Sequence, residues 1–270
     1  MTFAERIGAW IAHGLLGGPW GERISYNLAR VGLHGLGMAV PFDLENSGEK
    51  RLYSFLLKRI PQPDCLDVGA NVGDFTTMLA QLGAKSIIAI EPVQETFERL
   101  VKNTDRFSNV KRLCCAVGER DEQITIDVFE DQKLSALSSR DLRVTDLAHE
   151  SHRTETVPLR SIDSLVEENG WHFDIIKIDV EGFELEVLEG ASGLLARDPP
   201  TVVQFEFNAH HGRRGHHLTR LTGMLPGYDV YRIAPRCLRR VDPNHYLSSV
   251  FVYQNILAVR RDRIDLIAGR

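Results

Sequence analysis

The chain has no cysteine pair at C-x-x-C spacing. Its four cysteines are Cys65, Cys114, Cys115 and Cys237, and a zinc-ribbon or thioredoxin-like reading is excluded on that ground. Cys65 and the Cys114-Cys115 pair lie inside apolar, strand-like runs and read as buried reduced thiols. A reducing compartment follows, so a cytoplasmic protein is expected. No stretch approaches the ~20 apolar residues of a transmembrane helix. An excess of positive charge is also missing: the formal net charge is −5, which argues against a general nucleic-acid binder. Internal repeats and low-complexity tracts are absent.

What is present is an ordinary globular composition, 43% hydrophobic and 26% charged over 270 residues, enough for one large α/β domain. Residues 1–48 form a glycine-rich helical prelude with Ile7, Trp10 and Ile11 at helical spacing. Glu5 precedes this run and Gly14-Leu-Leu-Gly-Gly18 interrupts it, against the basic start and unbroken apolar core of a signal peptide. A covering or partner-docking helix is expected there, in preference to membrane-surface contact.

From Glu49 the pattern alternates. A helix over Glu49–Ile60 is stopped by Pro61-Gln-Pro63. Strands are expected over Cys65–Val68, Ser86–Ile90, Val110–Val117, Phe173–Ile178, Thr201–Phe207, Gly227–Ile233 and Asn255–Arg260. Helices fall between them over Phe75–Leu82, Gln94–Asn103, Glu184–Leu195 and Leu218–Leu225. Strand–helix alternation implies right-handed crossovers and a parallel sheet. Gln123–Leu159 departs from the rhythm and reads as an inserted hairpin with a mobile loop. One Rossmann-like domain over residues 49–270 behind the prelude is the expected organisation.

Asp67-Val-Gly-Ala-Asn-Val-Gly73 stands between a strand and a helix. Gly69 suits a tight turn and Gly73 a close backbone approach to a ligand, while the helix beyond offers unpaired N–H groups. A dinucleotide turn would read G-x-G-x-x-G. Here Asn71 replaces the middle glycine and Asp67 precedes the first. That acid repels phosphate and suits the ammonium and sulfonium of S-adenosylmethionine, which places this cofactor ahead of NAD. Glu91-Pro92 follows the second strand, where an acid accepts both ribose hydroxyls; this does not separate the two cofactors. In Lys177-Ile-Asp-Val-Glu-Gly-Phe-Glu184, Asp179 and Glu181 fall at a strand's carboxyl end, facing a sulfonium or a metal. Glu184 reads as a helix-start acid.

Asp67–Gly73, Glu91-Pro92, Ala116-Val-Gly118 and Lys177–Gly182 with Val187-Leu-Glu-Gly190 together resemble the FkbM-type methyltransferase family over about Glu49 to Arg260. The resemblance implies a class I methyltransferase fold: a seven-stranded, mostly parallel sheet with an antiparallel last strand and helices on both faces. It also implies O-methylation of a sugar or natural-product hydroxyl by an enzyme using S-adenosyl-L-methionine. By position, Asp67, Gly69, Ala70, Asn71 and Gly73 would hold the methionine portion, Glu91 and Pro92 the ribose, and Cys115-Ala116-Val117 the adenine.

Glu206 and Asn208 share one strand face. By analogy with catechol O-methyltransferase-like enzymes, Asp179, Glu206 and Asn208 form a candidate magnesium set, set against a metal-free alternative. His210 or His211 is the expected general base, with Asp179 or the metal lowering the hydroxyl's pKa; Glu181 completes the candidate catalytic group. His210, His211, His216 and His217 lack zinc-site spacing. Arg213-Arg214, flanked by glycines, reads either as a flexible lid for a phosphorylated or acidic acceptor or as a solvated loop. Arg236–Arg240 carries the same two readings. The acceptor is expected to be a small molecule or glycan, and a homo-oligomer is left open. The rival functions are an NAD-type oxidoreductase and a non-catalytic S-adenosylmethionine-binding module.

Overall fold

The computed structural model describes residues 6–8, 18–39, 43–129 and 151–269. Trp10 and Ile11 of the expected first helix, and 130–150 of the expected loop, lie outside the described residues.

The strands are β1 Asp64–Val68, β2 Ser86–Ile90, β3 Val110–Leu113, β4 Ala116–Val117, β5 Glu122–Phe129, β6 His152–Arg160, β7 Ile175–Ile178, β8 Val202–Phe207, β9 Tyr228–Ile233, β10 Leu238–Arg240 and β11 Gln254–Arg260. The helices are α1 Pro19–Gly35, α2 Leu44–Ser47, α3 Glu49–Leu56, α4 Asp74–Gln81, α5 Gln94–Thr104, α6 Ile162–Asn169, α7 Glu184–Glu189, α8 Ser192–Arg197, α9 Ala209–Arg214 and α10 Leu218–Gly223.

The main sheet runs β3-β2-β1-β7-β8-β11-β9-β10. Pairing is parallel from β3 across to β8, and β11 inserts antiparallel between β8 and β9. Every residue of β7 and β8 is buried, as expected for central strands covered on both faces. One apolar cluster joins the sheet to Leu165, Leu185, Leu194 and Leu221 from α6, α7, α8 and α10. The other joins its opposite face to Leu52, Leu79 and Leu100 from α3, α4 and α5.

Three expectations change. The sheet has eight strands rather than seven, because the chain turns between Ala234 and Cys237 and Leu238–Arg240 pairs back on β9. The Arg236–Arg240 run is therefore largely an edge strand, a place where exposed charge blocks unwanted pairing. The single strand expected over Val110–Val117 divides at Cys114-Cys115: β3 stays in the main sheet and β4 joins a separate sheet, β4-β6-β5. In that sheet β5 and β6 pair antiparallel from Glu122↔Leu159 to Phe129↔His152, with Ile124, Ile126, Val128, Val157 and Leu159 closing on Val93. The helix expected over Glu184–Leu195 breaks at Gly190-Ala191 into α7 and α8.

The prelude is tied to the body where Ala39 N donates to Tyr253 O at 2.7 Å and Met38 is buried. Helix α1 is largely exposed and presents Ile24, Leu28 and Val31 to solvent. No helix among the described residues is long and apolar enough to cross a membrane.

Candidate active site

Strand order reverses between β1 and β7, and ligands of open α/β sheets bind beyond the carboxyl ends of the strands at such a point. Asp179 N donates to Val68 O at 2.9 Å across this seam. Gly69 follows with φ 77°, and a Cβ there would lie 1.8 Å from Asp179 O. No other residue type permits the two strand ends to meet so closely. Asn71, at φ 49°, holds the middle of the turn. Gly73 (φ 92°) precedes α4, and a Cβ there would come 2.7 Å from Leu100 Cδ1 of α5. Its service is helix packing, not the expected approach of backbone to ligand.

Above the turn opens a cleft lined from both sides of the β1–β7 seam, by Gly69 and Asn71 and by Asp179 and Glu181. Of the eleven residues expected to hold a cofactor, eight line it: Gly69, Asn71, Glu91, Pro92, Cys115, Ala116, Val117 and Asp179. Asp67, Ala70 and Gly73 do not line it. Asp67 is fully buried beneath the turn, where it accepts a hydrogen bond from Thr76 Oγ1 at 2.6 Å. The expected contact of Asp67 with the cofactor is thus replaced by a structural one, anchoring the first turn of α4. Burial raises its pKa against the lowering effect of Lys177.

Glu91 is buried at the cleft wall, its two oxygens accepting from Asn71 N at 3.0 Å and Val93 N at 3.1 Å. Burial pushes its pKa up to about 7. At one end the lining is apolar: Cys115–Val117 face Ile124, Ile126 and Leu159 of the side sheet. This is a surface for a flat apolar ring, and the Cys115 thiol is made inert by burial, which lifts its pKa to about 12.

The register aligns Asp67, Lys177 and Gln204 across β1, β7 and β8. Lys177 received no role from the sequence, yet it is central here. Its buried Nζ lies 2.9 Å from Asp179 Oδ2 and 4.0 Å from Asp67 Oδ1. Burial opposes its charge, but Asp179, Asp67 and Glu49 outweigh burial and raise its pKa. The only sequence signal was its place two residues before Asp179, on the same strand face. Phe183, Glu119 and Glu186 also line the cleft and were not anticipated, because neither a loop nor the opening of a helix records which way its side chains point.

The expected magnesium set does not assemble. The Asn208 side-chain amide donates to Glu206 Oε1, while its oxygen accepts from His210 N at 2.8 Å and caps α9. Asp179 is held by Lys177. Among the described residues no group of three or more His, Cys, Asp or Glu is arranged to hold a metal ion. Burial, then Asp179, Glu181 and Glu184, raise the pKa of Glu206 well above its ordinary value.

The two candidate bases separate. His210 Nδ1 lies 3.2 Å from Glu181 Oε2, and Glu181 lines the cleft in a left-handed conformation, φ 54°. His211 is fully buried, accepting from Asn208 N at Nδ1 and facing Glu184 Oε2 at 2.8 Å with Nε2. Both its nitrogens are engaged, so His211 is withdrawn as a base. The flexible lid expected around Arg213-Arg214 is a capped helix, α9, with Gly212 packed against the Phe251 ring. Arg214 stacks over Phe183 at 3.6 Å and pairs with Glu186. His210, His211, His216 and His217 all stay outside the cleft lining, and His210 reaches it only through Glu181.

The family model described as the methyltransferase FkbM domain matches residues 67–232, which contain both the turn and the Lys177–Glu184 run. The chain belongs to this family. The family model describes a methyltransferase domain, not an oxidoreductase. Within the family's reach it is similar to the hexuronic acid methyltransferase AglP of Haloferax volcanii, 30% identical over 151 residues, 55% of this chain and 58% of that one. It is also similar to methyltransferase 1 of Beauveria bassiana, 28% identical over 149 residues, 48% of this chain and 60% of that one. These alignments span less than two thirds of the relatives' own length. Among solved structures, an O-methyltransferase from Bacillus cereus in complex with SAH is 12% identical with a TM-score of 0.46, covering 94% of this chain and 97% of that one.

Proposed function

We propose that the protein is an S-adenosylmethionine-dependent O-methyltransferase that acts on a hydroxyl of an uncharged sugar or similar polyol. The observation that carries this reading is the cleft itself. A buried carboxylate, Glu91, and an apolar slot, Cys115–Val117, line it together with Glu181, and Glu181 is paired with His210 outside the lining.

Glu91 would take the ribose hydroxyls, its oxygens retaining lone pairs beyond the two backbone bonds they accept. The side-sheet wall would cover the adenine, and Asn71 with the opening of α4 would hold the methionine portion. Bound there, the cofactor supplies an electrophilic methyl group for in-line attack by a hydroxyl oxygen. The chain's own part is alignment, exclusion of water and removal of the hydroxyl proton. Glu181 orients His210 through Nδ1, which leaves Nε2 to accept that proton. Asp179, held by Lys177, faces the reacting centre.

The cleft lining includes Glu91, Glu119, Asp179, Glu181 and Glu186, and no Lys, Arg or His among the described residues. With Arg214 committed to Glu186, an uncharged acceptor is favoured over the phosphorylated or acidic one considered from sequence. The name of the Haloferax volcanii relative supports a sugar-derived acceptor, and this lining favours a hydroxyl over a carboxylate. Labelled S-adenosylmethionine incubated with a panel of neutral glycosides and their uronate counterparts tests the proposal. An alkali-stable methyl ether on a neutral sugar is expected. An alkali-labile methyl ester on the uronate would overturn it.

A further inference from the structure

Helix α1 is long, yet the body of the protein makes little use of it. Gly21 is its only buried residue among those described. Ile24, Leu28 and Val31 recur at spacings of four and three and so form one stripe. They are 51%, 58% and 70% exposed, and an apolar line left this open marks a docking face. Arg23, Arg30 and His34 run along one edge of the stripe and are exposed as well. Glu22 is the one acid of the helix, and neither arginine has an ion-pair partner among the described residues.

A second cationic feature stands where this helix joins the sheet. Gly37, just beyond α1, packs on β9, where an added Cβ would meet Arg232 Cβ at 3.3 Å. Arg232 is buried; its Nε donates to Gln254 Oε1, and its Nη2 has no hydrogen-bond partner. Among the described residues no acid offsets this charge, and burial alone lowers the pKa. The antiparallel register sets the exposed Arg239 of β10 directly opposite, and like charges so placed repel. Two guanidiniums without an acid are costly unless an anion from outside the chain offsets them. The chain as a whole carries a formal charge of −5, so this concentration of positive charge runs against its overall sign.

We infer that α1 docks the protein on an anionic phospholipid surface, Ile24, Leu28 and Val31 entering the interface while Arg23, Arg30 and Arg239 meet lipid phosphates. An interfacial helix has this make-up, an apolar stripe with cations beside it, and α1 is not long and apolar enough to cross a membrane. Arginine stems lie along the apolar boundary with their charged ends among the headgroups, and the forked guanidinium suits phosphate. Arg232 adds positive charge from behind Arg239 without touching a lipid. A second copy of the chain suits this face less well, because each α1 offers one glutamate against two arginines. None of these residues lines the cleft, so the inference does not depend on the acceptor proposed above.

Flotation of the full chain with vesicles of phosphatidylcholine, alone or mixed with phosphatidylglycerol, tests this. Binding to the mixed vesicles is expected to be at least about tenfold tighter and to weaken steeply as salt rises to about 0.5 M. Ile24→Ser combined with Leu28→Ser should weaken it by at least about twentyfold. Arg30→Glu and Arg239→Glu should each weaken it by at least about fivefold, the contribution of one basic residue at such a surface. All four side chains are exposed, so the melting temperature should hold, which separates lost docking from lost folding. Equal binding to both kinds of vesicle, or to neither, overturns the inference, as does undiminished binding by the two charge-reversed variants. A dimer that Ile24→Ser with Leu28→Ser dissolves while vesicle binding stays unchanged would give the face to a second copy and overturn it too.

Discussion

Lys177 and Asp179 stand two residues apart at the end of β7, their side chains 2.9 Å from one another on the face that meets the cleft. The pair couples the buried half of the site to its open half, since the same ammonium lies 4.0 Å from the fully buried Asp67. Lys177→Met should therefore do more than remove a charge. It leaves two carboxylates without their cation, and a loss of about 3 kcal/mol is expected, as when one partner of a buried pair is removed. Urea denaturation measures it; a loss below about 1 kcal/mol would show that the ammonium does not hold the seam.

Glu91 should make cofactor binding pH-dependent. Its pKa is pushed up to about 7 by burial, so the ionised form that accepts both ribose hydroxyls is lost as pH falls through that value. S-adenosylmethionine affinity should decline below about pH 7 in the wild type and show no such limb in Glu91→Gln. For the empty protein the sign is opposite. A carboxyl whose folded pKa exceeds its unfolded value of 4.5 imposes no cost below the unfolded pKa and its full cost above the folded one. Glu91→Gln should then be more stable than wild type at pH 8 by about 1 kcal/mol, after loss of one accepted hydrogen bond, and not at pH 4. Thermal melts at the two pH values decide it.

His210→Ala and His211→Ala should part company. His210 is paired with Glu181, whose carboxylate lines the cleft, whereas His211 is sealed against Glu184. Removing His210 should lower turnover by roughly a hundredfold or more with a small change in melting temperature. Removing His211 leaves the buried Glu184 carboxylate without its imidazole partner and should cost about 3 kcal/mol of stability. The reverse pattern, with His211→Ala stable but inactive, would refute the assignment of the base.

Gly69→Ala and Gly83→Ala offer a controlled comparison. Both glycines have positive φ, 77° and 93°, but an added Cβ meets Asp179 O at 1.8 Å in the first case and nothing within 4 Å in the second. Gly83→Ala should cost about 1 kcal/mol from backbone conformation alone. Gly69→Ala must also part β1 from β7 and should cost about 3 kcal/mol or more, or prevent folding. Equal costs would mean that the seam is not tight.

Much of this architecture was legible beforehand, and the reason is locality. Apolar runs such as Ser86–Ile90 and the punctuation at Pro61-Gln-Pro63 act within a few residues, and the structure places β2 over Ser86–Ile90. The ligand turn and Glu91-Pro92 were legible for the same reason, since each follows directly on a strand end. Leu238–Arg240 was not, because a three-residue basic edge strand has no pattern of its own and exists only by pairing with β9. The division of Val110–Val117 was hidden as well: one apolar run feeds two sheets.

The chain's own residue order determined the strand–helix succession, the glycine-and-acid turn after β1 and the carboxylates after β7, all through short-range periodicity and backbone preference. Tertiary structure alone decided which of those groups meet the cleft. It turned Asp67 inward to Thr76, gave Gly73 to α5, sealed His211 against Glu184, and brought Lys177 to bear on Asp179. Burial and cross-strand register join residues far apart in the chain, and no local pattern records which side chain faces a cavity and which its floor.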